Sequence, residues 1–180
     1  MNEYILDLKK LIPANICKKT ILYFDNKFED AKTVAGLNKK TRNCMTRSLM
    51  EPATFGERLM SNYLKSKIFT AAFMYKDKFP HLAFEKISQL DILKYENNEH
   101  NVGYTFHKDF GTKANLRHIS ISVCLNNEFT GGEFVFDVNP QLQVPQNVGD
   151  AIIFPSNFMF PHQVNPVTSG VRYALIAWVI

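Results

Sequence analysis

Ile119-Ser120-Ile121-Ser122-Val123-Cys124-Leu125 runs into Asn126-Asn127, and Gly131-Gly132 then opens Glu133-Phe134-Val135-Phe136. This is strand, turn and strand: short apolar stretches bounded by residues that tolerate unusual backbone angles. The pattern continues on both sides. Upstream, 87–95 alternates as a strand and 102–106 is another. Downstream, 142–144, 151–154, 162–164 and 173–179 follow at similar spacing, punctuated by Gly, Pro and Asn. Seven or eight short strands of this kind predict a sandwich or jelly roll.

The part before Pro80 reads differently. Pro13 suits the first turn of a helix, where a missing N–H costs nothing, and an apolar stripe continues to about Asp25. Residues 28–50 are mixed and turn-rich, which suggests short strands and loops. From Thr54 to about Lys76, Leu59, Met60, Tyr63, Leu64, Ile68, Ala71, Ala72 and Tyr75 recur at helical spacing. The expectation is therefore one domain over 1–180, mainly β with a helical buttress (α+β). Residues 1–80 form the helical support and 81–180 the β core. No internal repeat, low-complexity tract or linker is visible.

Composition sets bounds. The chain has 180 residues, enough for one sizeable core, and 46% of them are apolar. The net charge is +4, carried by scattered lysines in doublets such as Lys9-Lys10 and Lys39-Lys40 rather than in a basic block. A nucleic-acid partner is therefore not expected. Cys17, Cys44 and Cys124 are an odd number without paired spacing, so free thiols in a reducing compartment are expected. No signal peptide or membrane span is visible, which gives a soluble, cytoplasmic expectation. The oligomeric state is not readable.

The chemistry sits at His107-Lys108-Asp109. In an extended chain residues i and i+2 point to one side, so His107 and Asp109 project together and Lys108 does not. One imidazole and one carboxylate leave a divalent metal undersaturated, and His162 is the natural third ligand. Such a two-histidine, one-carboxylate face keeps positions open for oxygen activation with a chelating cosubstrate. The other histidines, His81, His100 and His118, read as surface or structural groups.

Arg172 stands before the apolar run Tyr173-Ala174-Leu175-Ile176-Ala177-Trp178-Val179. Either it sits half solvated at a barrel rim, or it offers a bidentate fork to a dicarboxylate. Tyr104 can donate its hydroxyl to the same carboxylate or be an ordinary half-buried aromatic. Arg117 can reach the pocket but reads first as a structural salt bridge, Glu133 as a substrate contact or, in preference, a strand-edge charge, and Asp150 as a turn residue. Trp178 reads as lining the iron or as core.

The stretch 95–179 resembles the Fe(II)/2-oxoglutarate-dependent dioxygenases, specifically the prolyl 4-hydroxylase-like group of bacteria and phages. The resemblance is carried by Tyr104-Thr105-Phe106-His107-Lys108-Asp109, Arg117-His118-Ile119-Ser120, Gly131-Gly132-Glu133-Phe134, Pro161-His162-Gln163-Val164 and Gly170-Val171-Arg172-Tyr173. It implies a double-stranded β-helix (jelly roll, cupin-like) core with N-terminal helices. It implies iron on His107, Asp109 and His162, and 2-oxoglutarate chelated at the metal with its far carboxylate on Arg172 and Tyr104. The implied cofactors are Fe(II), 2-oxoglutarate and O2, with ascorbate as a possible accessory. The implied reaction is hydroxylation of a peptidyl proline or another protein side chain, with succinate as coproduct. A small-molecule substrate and a non-catalytic metal-binding or sensor module are the alternatives. Relatives often carry a tight Tyr-x-x-Gly-x-x-Tyr before the HxD. Here a longer polar stretch separates Tyr95 from Tyr104.

Overall fold

The strongest ladder in the molecule is made by β4 (Ile87–Glu96) and β14 (Val167–Val179), paired antiparallel over most of their length. The computed structural model describes residues 2–25, 27–33, 35–112 and 115–180, with backbone alone at 111, 112 and 115. In chain order the remaining strands are β1 (Leu6–Leu8), β2 (Glu29–Asp30), β3 (Met45–Ser48), β5 (Tyr104–His107), β6 (Gly111–Thr112) and β7 (Asn115–Leu116). They continue with β8 (Ile119–Cys124), β9 (Phe129–Gly131), β10 (Phe134–Phe136), β11 (Leu142–Val144), β12 (Ala151–Pro155) and β13 (His162–Val164). The helices are α1 (Ala14–Phe24) and α2 (Phe55–Lys78).

Among the described residues the large sheet runs β1-β12-β8-β14-β4-β3-β2, with β9 paired to the early part of β14. A second sheet runs β11-β10-β13-β5, and β6 and β7 form a small ribbon. This is a jelly roll of the double-stranded β-helix type, as expected.

Alternation along the large-sheet strands explains the layering, because successive side chains take opposite faces. Leu90, Ile92, Ile121, Val123, Ile153, Leu175 and Ala177 join the cluster that holds Leu64, Ile68, Ala71, Ala72 and Tyr75 of α2. The intervening Leu93, Tyr95, Ile152 and Phe154 pack instead with Phe134, Phe136 and Val164 of the smaller sheet. The large sheet is thus covered on both faces, which is why its strands read as nearly continuous apolar runs.

Helix α2 begins where its chemistry says it should. Thr54 Oγ1 accepts from the Glu57 amide at 3.2 Å, and the Glu57 carboxylate accepts from the Ala53 amide at 2.7 Å, so two otherwise orphaned N–H groups are satisfied. Leu59, assigned to the buried stripe by spacing, is 56% exposed; the buried face runs from Glu57 through Ser61 and Leu64.

Residues 1–80 contribute more than helices. β1 extends the large sheet through β12, and β2 and β3 extend it beyond β4. Strand β1 escapes sequence reading because three residues cannot show a period. The last strand begins at Val167, six positions before 173, because its first residues pair with β9 rather than with the central sheet. Gly131 and Gly132 have φ of +73° and +68°, which fits the turn expected there.

Candidate active site

His107 ends β5 and His162 begins β13, and the two are direct cross-strand partners. The register slips between His162 and Val164, leaving one extra residue in β5. That bulge has a consequence for Tyr104. Residues three apart in a regular strand face opposite ways, but here the Tyr104 ring stacks on the His107 imidazole with centroids 3.4 Å apart. Phe134 stacks on His162 at 5.0 Å from the other side.

Asp109 follows two residues after His107. One of its oxygens lies 3.7 Å from His107 Nε2 and the other 3.5 Å from His162 Nε2. Ligand atoms of His107, Asp109 and His162 all lie within 4.8 Å of one another. Each imidazole is oriented by its own backbone: His107 Nδ1 is 2.8 Å from the Thr105 carbonyl, and His162 Nδ1 is 3.1 Å from that of Phe160. Donation from Nδ1 fixes the tautomer whose Nε2 lone pair faces Asp109, the form a metal needs. Burial, with His162 alongside, lowers the His107 pKa to about 3, so this ring is neutral near pH 7. Burial works against the Asp109 carboxylate, yet the two histidines and the Ser120 hydroxyl bring its pKa below the usual range. Ser120 Oγ donates to Asp109 at 2.8 Å and is itself 2.8 Å from Ser156 Oγ. Two imidazoles and one ionised carboxylate, converging from one side, fit a divalent iron.

Across the cavity stands the large sheet. Arg172 is in mid-strand, 2% exposed, which excludes the half-solvated rim position. Its cross-strand partner is Tyr95, and its guanidinium carbon lies 5.4 Å from that ring's centre. Gly132 makes room for it: a Cβ there would come within 2.8 Å of Arg172 Cδ. Among the described residues this guanidinium has neither an ion pair nor a side-chain hydrogen bond. A buried, unpaired fork lining the same cavity as the His-Asp-His cluster fits the far carboxylate of a dicarboxylate.

The cavity has a volume of about 520 Å³ and is lined by His107, Asp109, His162, Arg172 and Tyr104 together. Trp178 and Arg117 also line it. Arg117 makes no salt bridge among the described residues; its guanidinium lies over the Trp178 ring at 3.7 Å and donates to Gln89 Oε1 at 3.1 Å. Asp150 is more than a turn residue. It is 2% exposed and accepts from the Lys10 and Asn147 amides, tying the N-terminal strand to β12. Phe158 and Met159 are exposed and outside the cavity lining, while Phe160 is core. His81, His100 and His118 lie away from the cluster, and His118 Nδ1 is 2.8 Å from the Ala83 carbonyl.

Sequence reasoning missed Ser120, Gln89 and Arg42. The alternation Ile119-Ser120-Ile121-Ser122 was a usable signal, because polar residues of one parity in an apolar strand mark the face that looks on a site. Arg42 carried none, since it reaches the cavity only through pairing of its segment beside Tyr104.

Comparison with known proteins agrees with this geometry. The chain is 26% identical, over 97% of its length and 77% of the relative's, to a PKHD-type hydroxylase of Idiomarina loihiensis. It resembles in fold a Trichoplax adhaerens prolyl hydroxylase solved with a hypoxia inducible factor peptide fragment (TM-score 0.81, 15% identity, 99% of this chain and 84% of that one). It also resembles a Pseudomonas putida prolyl-4-hydroxylase (TM-score 0.75, 17% identity, 98% and 91%). The family model described as the 2OG-Fe(II) oxygenase superfamily matches residues 90–180, the half that carries both histidines, Asp109 and Arg172. The chain therefore belongs to the 2OG-Fe(II) oxygenase superfamily, and is an oxidoreductase that uses Fe(II), 2-oxoglutarate and O2.

Proposed function

We propose that this oxygenase hydroxylates an unactivated C–H on a protein or peptide, with a prolyl residue as the leading target. His107, Asp109 and His162 hold the iron in this reading, and Arg172 takes the far carboxylate of 2-oxoglutarate. The bound group supplies the oxidation: 2-oxoglutarate loses CO2 to become succinate, one oxygen atom enters succinate and the other enters the substrate C–H bond. The chain's own residues bind, orient and exclude water. Tyr104 on one imidazole and Phe134 on the other hold the rings in place, and Ser120 holds the carboxylate. Tyr95 and Tyr104 border the space of the cosubstrate. Residues 1–180 act in this proposal as one catalytic unit, with the N-terminal strands and helices bracing the sheet that carries Arg172.

The observation that carries the cosubstrate assignment is Arg172, buried and unpaired opposite the metal-ligand cluster. The peptide assignment is supported by the hydroxylase relatives and prolyl hydroxylase fold neighbours. Among the described residues no helix is long and apolar enough to cross a membrane. The test is to supply Fe(II), 2-oxoglutarate and a proline-containing peptide library, following succinate together with the gain of one oxygen atom by mass spectrometry. Succinate rising only with peptide, in step with oxygenated product, supports the proposal. Coupled oxidation of small metabolites with no peptide product favours the small-molecule alternative.

A further inference from the structure

Five cationic residues line the cavity: Lys32, Arg42, Arg117, Arg172 and also Lys108, which strand alternation alone would have turned away from it. Its wall carries one carboxylate, Asp109, whose charge is committed to the metal ligands. None of the five cations has an ion pair among the described residues, a condition they share with many surface lysines; what sets them apart is that they line one cavity. Three of the chain's five arginines line this one cavity. That concentration is not what scattered surface lysines would give. Asp91 is the other nearby acid, but it lies behind Gln89, which donates to it at 2.5 Å, and it does not line the cavity.

Arg172 is matched by the far carboxylate of 2-oxoglutarate. The remaining arginines keep donors to spare. Arg42 gives one N–H to the Lys32 carbonyl at 2.8 Å and has a buried Nε without a partner. Arg117 gives one to Gln89 and likewise has a buried, unpartnered Nε. A guanidinium has five N–H donors, so beyond the bonds already made and the buried Nε each has further terminal N–H groups to offer. Asp91 and Asp109 offset part of this charge without an ion-pair contact, and an incoming carboxylate adds a direct partner.

Resting on the oxygenase reading above, we propose that the substrate is an acidic peptide segment, whose Asp or Glu side chains flank the oxidised residue and meet Arg42, Arg117, Lys32 and Lys108. A lysyl target or a basic flank is repelled by the same wall. A nucleic acid would also answer positive charge, but it needs open aromatic faces for its bases. The Tyr and Trp faces here are taken: Arg42 lies 4.8 Å over Tyr104, whose other face is on His107, Arg117 covers Trp178 and Arg172 covers Tyr95; Phe110, 46% exposed, is left as a single open ring rather than a platform for successive bases. Carboxylates require only the charged rim and its N–H donors.

The test is anaerobic binding of labelled peptides to the Fe(II)- and 2-oxoglutarate-loaded protein. The peptides share a central proline and differ only in acidic, neutral or basic flanks. We expect acidic flanks to bind about tenfold tighter than neutral ones at low salt, with the preference shrinking as salt is raised. Lys32→Gln with Lys108→Gln, both exposed and structurally undemanding, should reduce the preference a few-fold. Arg42→Gln and Arg117→Gln should reduce it further. Equal binding of all three peptide classes, or stronger binding of a single-stranded oligonucleotide, overturns the proposal. The two readings fail separately. Acidic peptides that bind but never gain oxygen in air count against the hydroxylase assignment alone. Oxygenation of neutral and basic peptides as efficiently as acidic ones counts against the acidic-segment proposal alone.

Discussion

The two faces of the large sheet are built from the same strands and could hardly differ more. In β14, Tyr173, Leu175, Ala177 and Val179 face the helices and pack as core, while Arg172 and Trp178 face the cavity. In β8, Ile119, Ile121 and Val123 face the helices, while Ser120 and Ser122 face the cavity. One parity specifies the fold and the other the chemistry. The sheet lets them share a backbone because alternate side chains never meet. It follows that damage on the two faces should be separable by measurement.

The largest separation should come from Asp109→Ala. Removing a ligand should lower 2-oxoglutarate turnover by well over ~100-fold, the loss seen at most when a mere supporter of a ligand is removed. The melting temperature should move little by comparison. On the helix-facing side, Leu64→Ala should show the reverse: a loss of about 2–5 kcal/mol in denaturant unfolding, with turnover per folded molecule retained. A Leu64 variant that unfolds normally but loses turnover would dissolve the distinction between the faces.

Arg172→Ala should raise the 2-oxoglutarate KM by about 10–100-fold, the equivalent of about 1.5–3 kcal/mol for a charged hydrogen bond. Gly132→Ala should act in the same direction more weakly, by displacing Arg172 at its stem, and steady-state kinetics distinguish this from a loss of iron.

The smallest effect concerns pH. Burial disfavours the Asp150 carboxylate, but the Lys10 and Asn147 amides and Lys9 outweigh it and hold its pKa below the usual value. A carboxylate with a depressed folded pKa adds stability above its unfolded value and loses it as pH falls through the folded one. Wild-type protein should therefore lose its stability advantage over Asp150→Asn on acidification below pH ~4, a shift that thermal melts across pH would register.

Much of this was legible from residues alone. Strand alternation and turn punctuation pointed to the jelly roll. His107 and Asp109 stood out by their i, i+2 spacing, His162 as the third ligand that pair lacks, and Arg172 as a charge opening an apolar strand; the family resemblance joined them. Three things were not legible, for physical reasons. Short edge strands such as β1 have too few residues for a period, and their existence depends on the partner strand. The bulge in β5 depends on pairing with β13, and it decides whether Tyr104 joins His107. Arg42 and the pairing of Tyr95 with Arg172 are long-range register facts. For Arg117 the sequence favours a salt bridge over the pocket, and the pocket is where it lies. There a tryptophan face and an amide oxygen take the place of the salt bridge.

The most direct test of the central claim is anaerobic titration of the apo-protein with Fe(II) and then 2-oxoglutarate, watched for a visible metal-to-cosubstrate charge-transfer band. The account predicts a band in the wild type, no band in Asp109→Ala, and a band in Arg172→Ala that needs far more 2-oxoglutarate. Iron bound by the wild type with no band at saturating 2-oxoglutarate would contradict it, and would leave the His-Asp-His cluster a metal site without this cosubstrate.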